Sequence, residues 1–174
     1  MQTRRLFLAL VAPLALALSS PALAADTLTL TTKYGKVAIE LLPKLAPKAA
    51  ERLKTLAAEK FYDGLKFHRV IPGFMAQTGD PTGTGEGGSK LPNLPAEFAG
   101  SHFTRGAVGM ARTNDPNSAN SQFFICTGDA TFLDGKYTQV GMVTSGMRAI
   151  DALAHGTQDD NGAVAHPDVI VTMR

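Results

Sequence analysis

The sequence predicts a mainly β domain, an eight-stranded antiparallel β-barrel capped by two α-helices. Three observations predict it: eight short runs of alternating or β-branched residues, tight turn dipeptides between the early ones, and only two segments with helical spacing.

In chain order, Arg4 and Arg5 precede an apolar run from Leu6 to Leu18 that closes on Ala22-Leu23-Ala24, the pattern of a signal peptide over residues 1–24. A membrane span needs roughly 20 apolar residues, so this run is too short for stable membrane insertion. The remaining stretch, 25–174, is expected as a soluble periplasmic domain. Thr3-Arg4-Arg5-Leu6-Phe7-Leu8 also fits a twin-arginine signal, yet paired basic residues are common in ordinary signals, so the export route stays open. About 150 residues is the usual size of a single domain. Two of the 17 basic residues and none of the 15 acidic ones fall in the signal, which leaves 25–174 with 15 of each. With the charges interspersed and no basic stripe, nucleic acid is not an expected partner. The domain is expected to act as a monomer.

Thr27 to Thr32 and Lys36 to Leu41 flank Tyr34-Gly35, and Lys66 to Ile71 and Phe74 to Thr78 flank Pro72-Gly73, so both pairs read as antiparallel hairpins. Ala107 to Ala111, Gln122 to Cys126, Thr138 to Val143 and Asp168 to Met173 complete the eight. Closing the sheet on itself removes exposed edges. The first helix opens at Pro47, where the missing N–H costs nothing, sets Ala50, Leu53 and Ala57 on one face, and ends before Tyr62-Asp63-Gly64. The second is expected from Ser145 as N-cap through Met147, Ile150 and Leu153 to Gly156 as a left-handed C-terminal cap. Gly79 to Arg105, rich in Gly and Pro, reads as a long irregular loop, functional or mobile.

Several patterns lead nowhere. Gly83-Thr84-Gly85-Glu86-Gly87-Gly88 contains GxGxxG, but Pro92 and Pro95 forbid the helix whose N-terminus would hold a pyrophosphate. His68, His102, His155 and His166 have no ligand spacing with Cys or acids, so no metal is expected. Cys126, in the apolar run Phe123-Phe124-Ile125-Cys126, reads as a small buried hydrophobe with no basic residue beside it. What remains is Phe67 to Gln77 together with Gln122 to Ile125. Residues two apart on a strand share a face, so Met75 with Gln77, and Gln122 with Phe124, each pair an apolar with an amide side chain. If these strands neighbour Arg69, they form an apolar pocket with a cation and two amides at its rim. Arg69 as a solvated surface residue, and Met75 and Phe124 as plain core, remain open on residue type alone.

FHRVIPGFMAQTGD, GTGEGG, GAVGMAR, NSQFFICTG and FLDGKY stand in the order, and at nearly the spacing, of the cyclophilin signatures. Over essentially all of 25–174 the chain resembles the cyclophilin family, and within it the bacterial exported subgroup. The resemblance implies a peptidyl-prolyl cis–trans isomerase, with Arg69 as catalytic arginine flanked by Phe74 and Gln77. It implies a proline pocket of Phe74, Met75, Phe124 and Leu133, and a polar rim of Gln77 and Gln122. Backbone at Ala111 and Arg112 would hold the residues before proline, and Gly85 would line the adjacent pocket. Phe132 stands where many eukaryotic members have Trp, Tyr137 where many have His, and Arg112 where Asn is common; the first two shape the rim. Without the indole N–H, only weak cyclosporin binding is expected.

Rotation about an X-Pro bond makes and breaks no covalent bond, so no cofactor is expected. Expected substrates are proline-containing segments of exported proteins during their folding. A module that grips such segments without turnover would share the pocket but would not need Arg69. A nucleotide enzyme built on the glycine-rich loop would require nucleotide-dependent stabilisation.

Overall fold

In the computed structural model, residues 26–157 and 159–174 are described; the signal peptide expected over 1–24 lies outside them. β1 (Thr27–Thr32) and β2 (Gly35–Leu41) form the first hairpin, with Leu28, Leu30, Val37, Ile39 and Leu41 buried and the intervening residues facing outward. The other strands are β3 (Arg69–Ile71), β4 (Met75–Thr78), β5 (Ala107–Met110), β6 (Phe123–Cys126), β7 (Gln139–Ser145) and β8 (Thr172–Met173). They form one antiparallel sheet in the order β3-β4-β6-β5-β7-β2-β1-β8. The eight expected runs are the eight strands, shifted by a residue or two at most ends, but β3 begins three residues and β8 four residues later than expected.

The sheet curls until its two edges approach each other. Lys66 bridges Val169, the Phe67 N–H donates to the Asp168 carbonyl (2.9 Å), and the Ile170 N–H donates to that of Leu65 (2.9 Å). Beyond that point the expected strands Lys66 to Ile71 and Asp168 to Met173 separate, because the 156–163 loop takes over the β3 edge. Val70 donates to the Gly162 carbonyl (2.8 Å) and Gly156 to that of Val70 (3.1 Å). Both strands are therefore shorter than their sequence runs, and the open edge is covered.

α1 (Pro47–Ala58) buries Ala49, Ala50, Leu53, Leu56 and Ala57 against the barrel. Ala46 supplies no side-chain cap; instead Glu97, far along the chain, accepts the N–H groups of Lys48 (3.1 Å) and Ala49 (3.0 Å). An acidic group there also suits the helix dipole.

α2 (Met147–Asp151) differs from expectation at both ends. Ser145 closes β7, paired with Ala38, and the cap position falls to Gly146 at φ 89°, where a Cβ would strike the Lys36 backbone. The helix stops at Asp151 with right-handed Ala152 following. Gly156 does not adopt the expected left-handed cap; it is needed for close approach, since a Cβ there would collide with Gly162 and Ala163.

The main core fills the barrel, including Leu30, Ile39, Val108, Phe123 and Ile125, with Leu53 and Ile150 from the helices. A second apolar cluster lies on the outside of the wall: Met75, Phe103, Ala107, Phe124, Cys126, Ala130 and Leu133.

Candidate active site

Strand alternation creates the outer cluster. Along β6, Phe123 and Ile125 face the barrel interior, while Phe124 and Cys126 face out; along β4, Ala76 faces in, and Met75 packs in the outer cluster. The ladder aligns Arg69 with Gln77, Gln77 with Phe124, and Phe124 with Gly109, so β3, β4, β6 and β5 contribute one residue each to a continuous row. Gly109 ends that row for a steric reason. A Cβ on it would collide with Phe124 Cζ and come within 2.7 Å of Phe103 Cε1. Its bare backbone lets the two rings stack at 5.7 Å.

Above this row lies a cleft of about 120 Å³ bordered by Arg69, Phe74, Met75, Phe124 and Leu133, with Gln77, Ala111, Arg112 and Tyr137 completing it. The residues expected to form the proline pocket do converge. A larger cavity of about 580 Å³ adjoins it, lined by Gly85, Gln122 and Asn120 among others, and Gln77, Ala111 and Arg112 border both. Phe132 is not part of the cleft wall. It is 60% exposed and packs its ring against Phe74 at 5.4 Å, extending the apolar rim outward.

The polar groups form a directed chain. Arg69 Nη1 donates to Gln77 Oε1 (3.4 Å), Gln77 Nε2 to Gln122 Oε1 (2.9 Å), and Gln122 Nε2 to the carbonyls of Gly85 (2.9 Å) and Gly87 (2.8 Å). Arg69 Nη1 also meets the Met75 sulfur at 3.8 Å, a weak contact that a better acceptor would displace. On its far side the guanidinium donates from Nε to the Asn161 carbonyl (2.8 Å) and from Nη2 to Asn161 Oδ1 (2.9 Å). Burial lowers the Arg69 pKa, which strengthens it as a donor while leaving it charged.

Arg112 does not offer its head group to the cleft. It donates to the carbonyls of Lys136 (2.9 and 3.2 Å) and Thr113 (2.7 Å) and lies over the Tyr137 ring at 4.4 Å. Tyr137 in turn meets Phe124 edge to face at 5.9 Å. Arg112 thus braces the cleft wall.

The glycine-rich run opens no helix but wraps a carboxylate. Asp80 accepts the N–H groups of Thr82 (2.7 Å), Thr84 (3.0 Å) and Gly85 (2.6 Å) and the Thr82 hydroxyl. Burial pushes its pKa up, but these hydrogen bonds outweigh it and hold the group down at about 2. The long loop is tied down as well. Buried Arg52 on α1 donates to the carbonyls of Pro92 (2.7 Å) and Asn120 (3.2 Å), while the Asn120 side chain holds Ser89 and Leu91. Cys126 is buried and its thiol pKa is pushed up by that burial to about 12, so it is no nucleophile at neutral pH. Among the described residues no three His, Cys, Asp or Glu side chains converge on a metal-binding position.

Asn161, Gly109 and Asp80 are the residues a reading of the sequence misses. Asn161-Gly162 is a turn dipeptide, which signals a left-handed residue there but not its contact with a side chain 92 positions away.

Fold and cleft define the class: an antiparallel eight-stranded barrel with an apolar cleft and a half-buried guanidinium on its outer wall. The family model described as cyclophilin type peptidyl-prolyl cis-trans isomerase/CLD matches residues 27–174. A probable peptidyl-prolyl cis-trans isomerase of Brucella suis biovar 1 is 52% identical over 157 residues, covering 84% of this chain and 80% of the relative. Peptidyl-prolyl cis-trans isomerase-like 3 of Homo sapiens is 44% identical over 131 residues, covering 73% and 81%. Among solved structures, a Cryptosporidium parvum cyclophilin type isomerase, crystallised in the presence of the dipeptide Ala-Pro, superposes with a TM-score of 0.77 at 28% identity, over 84% of this chain and 96% of that one. A cyclophilin from Hirschia baltica gives 0.75 at 28% identity, over 86% and 73%. The chain belongs to the cyclophilin-type peptidyl-prolyl cis–trans isomerase family, and it is an enzyme of that kind.

Proposed function

We propose that the enzyme accelerates rotation about X-Pro bonds in exported proteins as they fold, with Arg69 stabilising the twisted amide. The observation that carries this is the cross-sheet row, which sets the Arg69 guanidinium at one end of a cleft floored by Phe124.

Rotation must break amide resonance against a barrier of about 18–20 kcal/mol. In the twisted state the prolyl nitrogen regains a basic lone pair, and a guanidinium donates to it far better than to the planar amide. Arg69 Nη1 is the pocket-facing nitrogen, and its weak contact with the Met75 sulfur is the one a substrate would replace. A charge-assisted hydrogen bond contributes roughly 1.5–3 kcal/mol, one to two powers of ten in rate. The rest comes from ring clamping by Phe74, Met75, Phe124 and Leu133, and from orientation of Arg69 by Gln77. Backbone at Ala111 and Arg112 holds the residues before proline. A planar fork suits this task better than an ammonium, since it serves substrate and Gln77 at once.

Arg69→Ala is expected to retain the fold and lower isomerisation of an X-Pro peptide at least about tenfold in a protease-coupled assay. Near wild-type turnover would overturn the mechanism.

The signal peptide over 1–24 supports a periplasmic site of action, where folding chains meet slow prolyl isomerisation. The N-terminus of the protein recovered from the periplasm should be Ala25. Phe132 carries no N–H donor, so cyclosporin should inhibit only weakly. The domain is proposed to act as a monomer.

A further inference from the structure

We propose that Asn161 is a positioning residue for the isomerisation, fixing the plane of the Arg69 guanidinium; this rests on the reading of Arg69 as the catalytic donor. A single hydrogen bond lets a guanidinium swing, whereas two from one direction fix its orientation. Asn161 supplies two. Its carbonyl accepts from Nε at 2.8 Å and its Oδ1 from Nη2 at 2.9 Å, both shorter than the 3.4 Å contact with Gln77. These contacts occupy the face of the guanidinium away from the cleft and leave Nη1 toward Met75 and Gln77.

Both acceptors face Arg69 while Asn161 holds φ 51°, in the left-handed region that asparagine tolerates better than most residues. The loop carrying it is fastened to the strand that carries Arg69. Ala163 bridges Arg69, Gly162 accepts from Val70 (2.8 Å), and Gly156 donates back to Val70 (3.1 Å). A Cβ on Gly162 would strike Ile71, so the loop sits flush on β3. Within the loop, Gly162 donates to the Thr157 carbonyl (2.8 Å) and the Thr157 hydroxyl to Asp160 (2.9 Å). Asn161 and Arg69 are therefore held as one body, and Asn161 acts on the reaction without bordering the cleft.

Asn161→Gly separates this role from a structural one. Glycine accepts φ 51° with less strain and keeps the carbonyl that takes Nε, but it deletes Oδ1. The probe is succinyl-Ala-Ala-Pro-Phe-p-nitroanilide, with exchange NMR giving its affinity and its interconversion rate on the enzyme separately. Turnover should fall about threefold to tenfold with affinity within about twofold, and Tm should be unchanged or raised. In an Arg69→Ala background the same substitution should change nothing further. Full turnover of Asn161→Gly beside an inactive Arg69→Ala overturns the positioning role alone. So does an equal slowing in both backgrounds, or a fall in Tm together with affinity. An active Arg69→Ala overturns the underlying reading of Arg69.

Discussion

At the residue scale, the site depends as much on an absent side chain as on those present. Gly109 is the only member of the Arg69–Gln77–Phe124–Gly109 row with nothing to contribute except room. Adding one methyl group would displace Phe124, the floor of the cleft, or Phe103 beneath it. Overpacking of this kind costs about 1–3 kcal/mol. Gly109→Ala is expected to fold, melt a few degrees lower, and lose about tenfold in kcat/KM; unchanged kcat/KM would show that Phe124 is not needed where it stands. Met75 with Gln77, and Gln122 with Phe124, were visible in the sequence because alternation tells which strand residues share a face, whereas Arg69 and Phe74 were singled out by the cyclophilin resemblance. Gly109 and Asn161 were not visible, since a glycine's neighbours and a loop's docking partner arise only when distant strands come together. For Arg112 the resemblance implied a backbone role, and what the sequence did not show is that its side chain turns away onto Lys136 and Tyr137.

At the scale of elements, the strands were legible because their period of two survives packing, whereas helix ends were decided by neighbours. α1 begins at Pro47 as its own chemistry dictates, yet its N–H groups find Glu97 across 48 and 49 residues, which no local pattern shows. Its C-terminus closes with Phe61 donating to Leu56 (2.9 Å) and Lys60 to Ala57 (3.0 Å), with Lys60 at φ 61°. That hydrogen-bond pair is the left-handed helix stop usually made by glycine. Lys60 is exposed and bears the left-handed penalty of roughly 1–2 kcal/mol; its side chain makes no hydrogen bond or salt bridge among the described residues and is attracted only through space by the Asp63 carboxylate. Lys60→Gly should therefore raise stability by about 0.5–1 kcal/mol in urea unfolding with no change in isomerisation. A loss of stability would mean that the lysine side chain stabilises the turn after all. In α2 the local signals were outvoted: Ser145 is drawn into β7 by pairing with Ala38, and Gly156 serves loop packing.

At the scale of the whole molecule, the titrating groups that depart from their ordinary values make acid the enemy of this fold. Burial lowers the pKa of His68, which has neither ring nitrogen hydrogen-bonded among the described residues. Hydrogen bonds hold Asp80 at about 2 against the opposing effect of burial, Asp63 is lowered by its pair with Arg174, and Asp168, which burial pushes up, is lowered on balance by Lys33 and the Ala154 N–H. In every case the unfolded chain binds protons at a higher pH than the folded one, so stability rises with pH across these ranges. The His68 contribution is complete above the unfolded value of 6.5 and is lost as pH falls toward the lower folded value. The Asp80 contribution is complete above 3.8 and is lost as pH falls toward about 2. Tm should thus decline in two stages, gently below pH 6.5 and steeply below pH 4. Because Asp80 gathers the backbone of Thr82, Thr84 and Gly85 around one carboxylate, its stage also governs the wall of the larger cavity. Asp80→Asn keeps the shape but removes the charge. Calorimetry from pH 7 to 3 should find its Tm well below wild type at neutral pH and the gap narrowing below pH 4. A gap that stays constant across that range would mean that the Asp80 charge contributes nothing to stability.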